Sequence, residues 1–232
     1  MIEVFDLQAP GHSSSTKFPT TPNRKSKDGL KGRISCLDFN PDKSGMFAAG
    51  TYNQAVGLFD QRNHQLCSKY AIDAGNGVTQ VKFSPDGNHL FVASRQASAI
   101  QCWDVRQSGN LMYELNRPGK TNQRIHFDMD PTGQVLISGD QHGHVLAYDL
   151  TTLEGEDMEH KSRLHSDNML HDDIIATATF NPAYPSMIAT CSGQRKFAAD
   201  DDSDDMTSDQ VIDNSLRIWE WSGSYTWHSS EV

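Results

Sequence analysis

The chain has 232 residues with a formal net charge of −10 and 36% hydrophobic residues, and no run of eighteen apolar residues that would cross a membrane as a helix. The charge is concentrated: Asp200, Asp201, Asp202, Asp204, Asp205, Asp209 and Asp213 fall in one stretch free of Lys and Arg, and without these seven the balance is −3. The acidic total therefore does not exclude a nucleic-acid partner. Cys36, Cys67, Cys102 and Cys191 are too scattered for a zinc site or a disulfide framework, and read as buried thiols of a reducing compartment.

In chain order the elements repeat. Residues 1–6, ending in Phe5-Asp6, read as the last inner strand of an earlier unit. Four units follow, each with an apolar residue, a spacer and a proline: Phe39-Asn40-Pro41, Phe83-Ser84-Pro85, Met129-Asp130-Pro131 and Phe180-Asn181-Pro182. An alternating segment precedes each proline ("ISCLDF", "VTQVKF", "RIHFDM", "IATATF"), and an apolar run ending in small residues follows it. A third run closes each unit on an aromatic and an acid: Phe59-Asp60, Trp103-Asp104, Tyr148-Asp149 and Trp219-Glu220. Proline steps of 44, 46 and 51 residues, and proline-to-acid distances of 19, 19, 18 and 38, put three units on one ruler and an insertion of about twenty residues in the fourth. No helical period is sustained.

This predicts an all-β fold, a WD-repeat β-propeller. It is incomplete: blades at 30–60, 74–104, 120–149 and 171–221, a remnant strand at 1–6, and an acidic disordered insert at 198–213, from a larger ring of seven blades. The aromatic of each pair is expected between neighbouring blades, and the acid at a strand end accepting turn hydrogen bonds.

Propeller topology sends the loops before the first and after the second strands to one rim. There the sequence places Arg33, Tyr52, Arg95, Lys120, Arg124, Arg195 and Lys196 among several Asn and Gln. Cations neutralise phosphates, amides reach base edges and Tyr52 can stack, so this rim is the candidate RNA surface. On the other rim Arg62 and Arg106 follow their acids as Asp-x-Arg. They read either as braces on their own turns or as a docking pair for the cullin-4 ubiquitin ligase adaptor.

No catalytic or metal site is expected. An EF-hand loop opening at Asp200 would need glycine at Asp205 and glutamate at Val211. His142, His144, His165 and His171 lie near acids but on different elements, the last two in a polar linker, and no hydrolase or P-loop motif occurs. No cofactor, membrane or small-molecule substrate is expected.

Residues 102–143, with Trp-Asp-x-Arg-Gln-Ser-Gly and Thr-Asn-Gln-Arg-Ile-x-Phe-Asp, together with "RISCLDFNP", "GTYNQAVGLFD" and "ATCSGQRKF", resemble the telomerase Cajal body protein family of WD-repeat proteins. The resemblance covers nearly the whole chain and weakens at 7–30 and in the acidic insert. It implies a non-enzymatic RNA-binding scaffold of the nucleus. Such a scaffold binds the Cajal-body localisation box of small Cajal body RNAs, and of telomerase RNA where that RNA carries the box. Its companions are H/ACA ribonucleoproteins and Cajal body proteins.

Overall fold

The computed structural model describes residues 1–8, 15–23, 25–26, 28–106, 109–151, 164–194 and 213–220. Every regular element among them is a strand. β1 (Ile2–Phe5) pairs antiparallel with β2 (Ser15–Phe18). The first blade runs β3 (Ile34–Phe39), β4 (Met46–Thr51), β5 (Ala55–Asp60) and β6 (Gln65–Ala71); the second runs β7 (Val78–Phe83), β8 (His89–Ser94), β9 (Ala99–Asp104) and β10 (Asn110–Asn116). The third runs β11 (Phe127–Met129), β12 (Val135–Gly139), β13 (His144–Asp149) and β14 (Leu164–Met169). The fourth has three described strands, β15 (Ile175–Phe180), β16 (Met187–Ser192) and β17 (Leu216–Glu220). Each sheet is an antiparallel meander in sequence order, the arrangement of an incomplete propeller.

Three details depart from the sequence reading. Cys67 and Cys191 are exposed rather than buried, since each lies on a strand face that no neighbouring sheet among the described residues covers. The first three blades each add an outer strand, β6, β10 and β14, beyond the aromatic-acid pair that closed the predicted unit. The "RIHFDM" segment forms only three residues of strand, with His126 making a separate parallel bridge to Thr177 of the next blade.

The proline turns are hairpins closed by one recurring bond, from the backbone N–H of Asn40, Ser84, Asp130 and Asn181 to the carbonyls of Met46, His89, Val135 and Met187 at 2.9–3.0 Å. Gly45, Gly87 and Gly133 take φ of +79°, +74° and +76° in these turns, a region where a side chain is strained.

The core lies between sheets rather than within them. Val56, Leu58 and Tyr70 of the first blade pack on Val81, Leu90, Val92 and Trp103 of the second. Phe91, Ile100 and Leu115 of the second pack on Phe127, Leu136 and Tyr148 of the third. The third strands β5 and β9 are therefore buried on both faces, apart from the partly buried Ala99, whereas the outer strand β6 alternates. Trp103 stacks on Tyr70 of the preceding blade at 5.5 Å with 4° between planes, Phe59 stacks on Phe47 at 5.1 Å, and the Tyr148 hydroxyl donates to the Asn116 carbonyl. The acids do what strand ends require: Asp60, Asp104 and Asp149 accept the backbone N–H two residues on, each at 2.8 Å.

First strands of successive blades are tied along their inner edge. Gln80 pairs with both backbone groups of Phe127, Asp38 accepts the Phe83 N–H, and Asp128 joins Lys82 to Thr179 and Phe180. Burial alone would raise the Asp128 carboxyl, but Lys82 and Thr179 hold it below the ordinary range.

Candidate nucleic-acid interface

The rim is built by the turns between second and third strands meeting the segments that enter first strands. One bond repeats: Tyr52 N–H to Arg33 O at 3.1 Å, Arg95 N–H to Gly77 O at 2.9 Å, and Gly193 N–H to Ile174 O at 3.0 Å. Others cross between blades, with Gln96 N–H on Thr121 O and Gln141 N–H on Pro118 O, both at 3.1 Å. These bonds hold the rim loops as a continuous surface. Gly77, at φ +108°, allows a close approach: a Cβ there would lie 2.6 Å from the Tyr52 carbonyl oxygen.

At the centre the Arg95 guanidinium lies 5.1 Å above the Tyr52 ring, a cation–π contact that fixes both side chains. Tyr52 is 39% exposed, and Arg33 and Lys120 are exposed in the rim loops. An amide row runs alongside. Asn76 Nδ2 donates to Gln96 Oε1, and Gln96 Nε2 donates to Asn122 Oδ1 at 2.8 Å, spanning three loops. Such a row beside a stacked pair presents neutral donors and acceptors next to a π-face and positive charge.

The structure thus brings Arg33, Tyr52 and Arg95 together and leaves Lys120 in the adjoining loop. Arg124 turns inward, where Nη2 donates to Ser35 O at 2.6 Å and Thr79 O at 3.1 Å, bracing the first strands of two blades. Arg195 and Lys196 lie outside the described residues, as does the acidic insert up to residue 212. Asn76, a member of the amide row, has no sequence signal beyond a Gly-Asn-Gly turn. Arg117 was equally illegible: in a polar "NRPGK" segment it is 2% exposed, donates to the Ile125 and Ser94 carbonyls, and is lowered by burial to about 10.

On the opposite rim Arg62 Nη2 donates to Asp60 Oδ2 at 2.7 Å and Arg106 Nη2 to Asp104 Oδ2 at 3.1 Å. This geometry is that of braces on their own turns, and the side-chain bonds of Arg62 hold the Asp60 carboxyl below its ordinary range.

His171 overturns the linker reading. It is buried, with Nδ1 3.1 Å from Asp213 Oδ2 and Nε2 2.7 Å from Thr190 Oγ1, and the Trp219 indole donates to the same hydroxyl at 2.8 Å. Asp213, placed by sequence in the solvated insert, is also buried, because it accepts from Ser215 and faces His171. Its carboxyl is held well below the ordinary range, chiefly by the Ser215 hydroxyl. His144 contacts Asp167, and the side chain of His165 lies outside the described residues. Among the described residues no group of three His, Cys, Asp or Glu is placed to hold a metal, and no helix is long and apolar enough to cross a membrane.

The family model described as "Lactonase, 7-bladed beta-propeller" matches residues 43–159, half of the chain. The chain belongs to this seven-bladed β-propeller family. Telomerase Cajal body protein 1 of Bos taurus is 32% identical over 235 residues, covering 96% of this chain and 41% of that protein. The Homo sapiens protein of the same name is 34% identical over 206 residues, covering 88% and 35%. Guanine nucleotide-binding protein negative regulator 1 of Schizosaccharomyces pombe is 30% identical over 199 residues, covering 82% and 48%. This propeller chain spans less than half the length of each of these relatives. The resemblance read from "RISCLDFNP" and residues 102–143 is thus carried by relatives matching over most of the chain.

Proposed function

We propose that this chain is part of a non-enzymatic RNA-binding propeller that takes the Cajal-body localisation box of small Cajal body RNAs, and of telomerase RNA where it carries the box. The rim of Arg33, Tyr52, Arg95 and Lys120 is the contact surface, with Arg195 and Lys196 extending it, and the H/ACA ribonucleoprotein and Cajal body proteins of the nucleus are its companions. The observation that carries the reading is the Arg95–Tyr52 stack flanked by the Asn76–Gln96–Asn122 amide row. An unpaired base can stack on the ring, a phosphate can meet the guanidinium, and amides can read a base edge. The names of the relatives that match most of the chain supply the Cajal body and telomerase context.

The test measures RNA affinity against salt concentration for the full chain and for Arg33→Ala/Arg95→Ala/Lys120→Ala. Loss of three phosphate-directed cations flattens the log–log slope by about 2 for a single-stranded loop. An unchanged slope in the folded triple variant contradicts this surface. Arg62→Ala/Arg106→Ala, on the opposite rim, leaves the slope unchanged.

A further inference from the structure

The fourth blade shows how its tryptophan is satisfied, and the second blade lacks the same parts. Ile188 faces Trp219 across β16 and β17, as Leu90 faces Trp103 across β8 and β9. Two residues further along, Thr190 opposite Arg217 corresponds to Val92 opposite Gln101. Asp213 and Ala97 each stand six residues before their tryptophan, and His171 and Ala74 each eleven before their turn proline. The polar set His171, Thr190 and Asp213 is therefore Ala74, Val92 and Ala97 in the second blade.

Of these three, Ala74 borders open space. A groove of about 340 Å³ opens between the first two blades, lined by Asp73, Ala74, Gln101, Trp103, Leu111 and Glu114. Two buried polar atoms of its lining residues have no hydrogen-bond partner, Trp103 Nε1 and Gln101 Oε1; the residues are 8% and 5% exposed. Gln101 Nε2 donates to Glu114 at 2.8 Å, which fixes the amide with its oxygen left over. A buried unsatisfied donor and acceptor beside a cavity each cost stability until something supplies their partner.

The fourth blade identifies the chemistry. There the residue matching Gln101 is Arg217, whose guanidinium donates to the Leu170 carbonyl at 2.5 Å and to Asp213 at 3.1 Å. The second-blade groove has lost both that cation and its Asp213 partner, and presents acceptors of its own instead: Gln101 Oε1 with the Asp73 and Glu114 carboxylates.

We propose that the groove between the first and second blades binds an arginine side chain from an extended segment of a partner protein. The planar guanidinium fork meets Gln101 Oε1 and the two carboxylates, geometry that a lysine ammonium matches poorly. The aliphatic stem lies along Ala74 and Leu111, and the partner's backbone carbonyl takes the Trp103 indole N–H. Leu111, cross-strand from Trp103 and 39% exposed, is the side chain that swings aside to admit it. The site adjoins the rim at Asp73 and Ala74 but uses no residue of the Arg95–Tyr52 stack or the amide row.

Titration of the full chain with the tripeptide acetyl-Gly-Arg-Gly-amide, followed by the ¹⁵N–¹H indole resonance of Trp103, tests it. A saturable shift is expected, weaker with the lysine peptide. Glu114→Gln is expected to weaken binding about tenfold, the size of one charge-assisted hydrogen bond. Gln101→Arg supplies the guanidinium in place, so it is expected to abolish the peptide response and raise the melting temperature. No shift in the folded wild-type chain overturns the proposal. So does a shift that survives Gln101→Arg and Glu114→Gln unchanged, since the peptide then sits elsewhere.

Discussion

The second and fourth blades carry the same Trp-acid signature and hold their tryptophans by different physics. Trp219 is half-buried and anchored through polar groups: Thr190 takes its indole N–H, His171 joins Thr190 to Asp213, and Arg217 closes on Asp213. Trp103 is buried by packing, stacked on Tyr70 and set among Val81, Leu90 and Val92, with its indole N–H unpaired. The signature therefore specifies where the ring goes, between blades, and not how its one polar atom is satisfied. In an apolar setting that atom can be left at a cost of about 1–3 kcal/mol if stacking and burial outweigh it.

The largest expected effect comes from breaking the polar version. His171→Ala opens a cavity and takes one partner each from Asp213 and Thr190 in a buried site, and urea denaturation is expected to show a loss of about 3 kcal/mol. The same network makes stability depend on pH with a known sign. Because the folded state holds the Asp213 carboxyl below its unfolded value, the contribution is complete above the ordinary aspartate range and is lost as pH falls below it. Asp213→Asn is expected to remove that acid dependence in denaturation profiles between about pH 5 and pH 2.

A reciprocal exchange sharpens the comparison. Thr190→Val keeps the shape and removes the hydroxyl that accepts the Trp219 indole N–H and pairs with His171 Nε2, at an expected loss of about 2 kcal/mol. Val92→Thr puts a hydroxyl at the matching position of the second blade, with an expected gain of up to about 1 kcal/mol and slower exchange of the Trp103 indole proton. Equal and opposite effects would mean that the two tryptophans are held alike after all. The smallest effect belongs to Arg106→Ala: its bond to Asp104 is a solvent-exposed brace, and the melting temperature is expected to stay where it is.

Much of this architecture was legible because it is periodic. Proline turns, small-residue strands and aromatic-acid pairs recur on one ruler, and the sheets follow them. The outer strands β6, β10 and β14 escaped because they lie at the periphery, carry polar residues on one face and share no common motif. His171 and Asp213 escaped for another reason. Each looks solvated in its own neighbourhood, and only their mutual contact, across 42 residues and the acidic insert, makes burial favourable. The rim was legible as a collection of loop residues, but Arg124 shows the limit of that reading. Its exposure and charge suit phosphate, while its hydrogen bonds go to the Ser35 and Thr79 carbonyls at the inner edge of the blades.

Photo-crosslinking of a box-bearing RNA loop to the full chain, with adducts mapped by mass spectrometry, tests the functional account most directly. Adducts are predicted on the rim at Tyr52 and Arg95 and in the loop containing Lys120. Adducts confined to the proline-turn rim, at Lys43, Arg62 and Arg106, would contradict it.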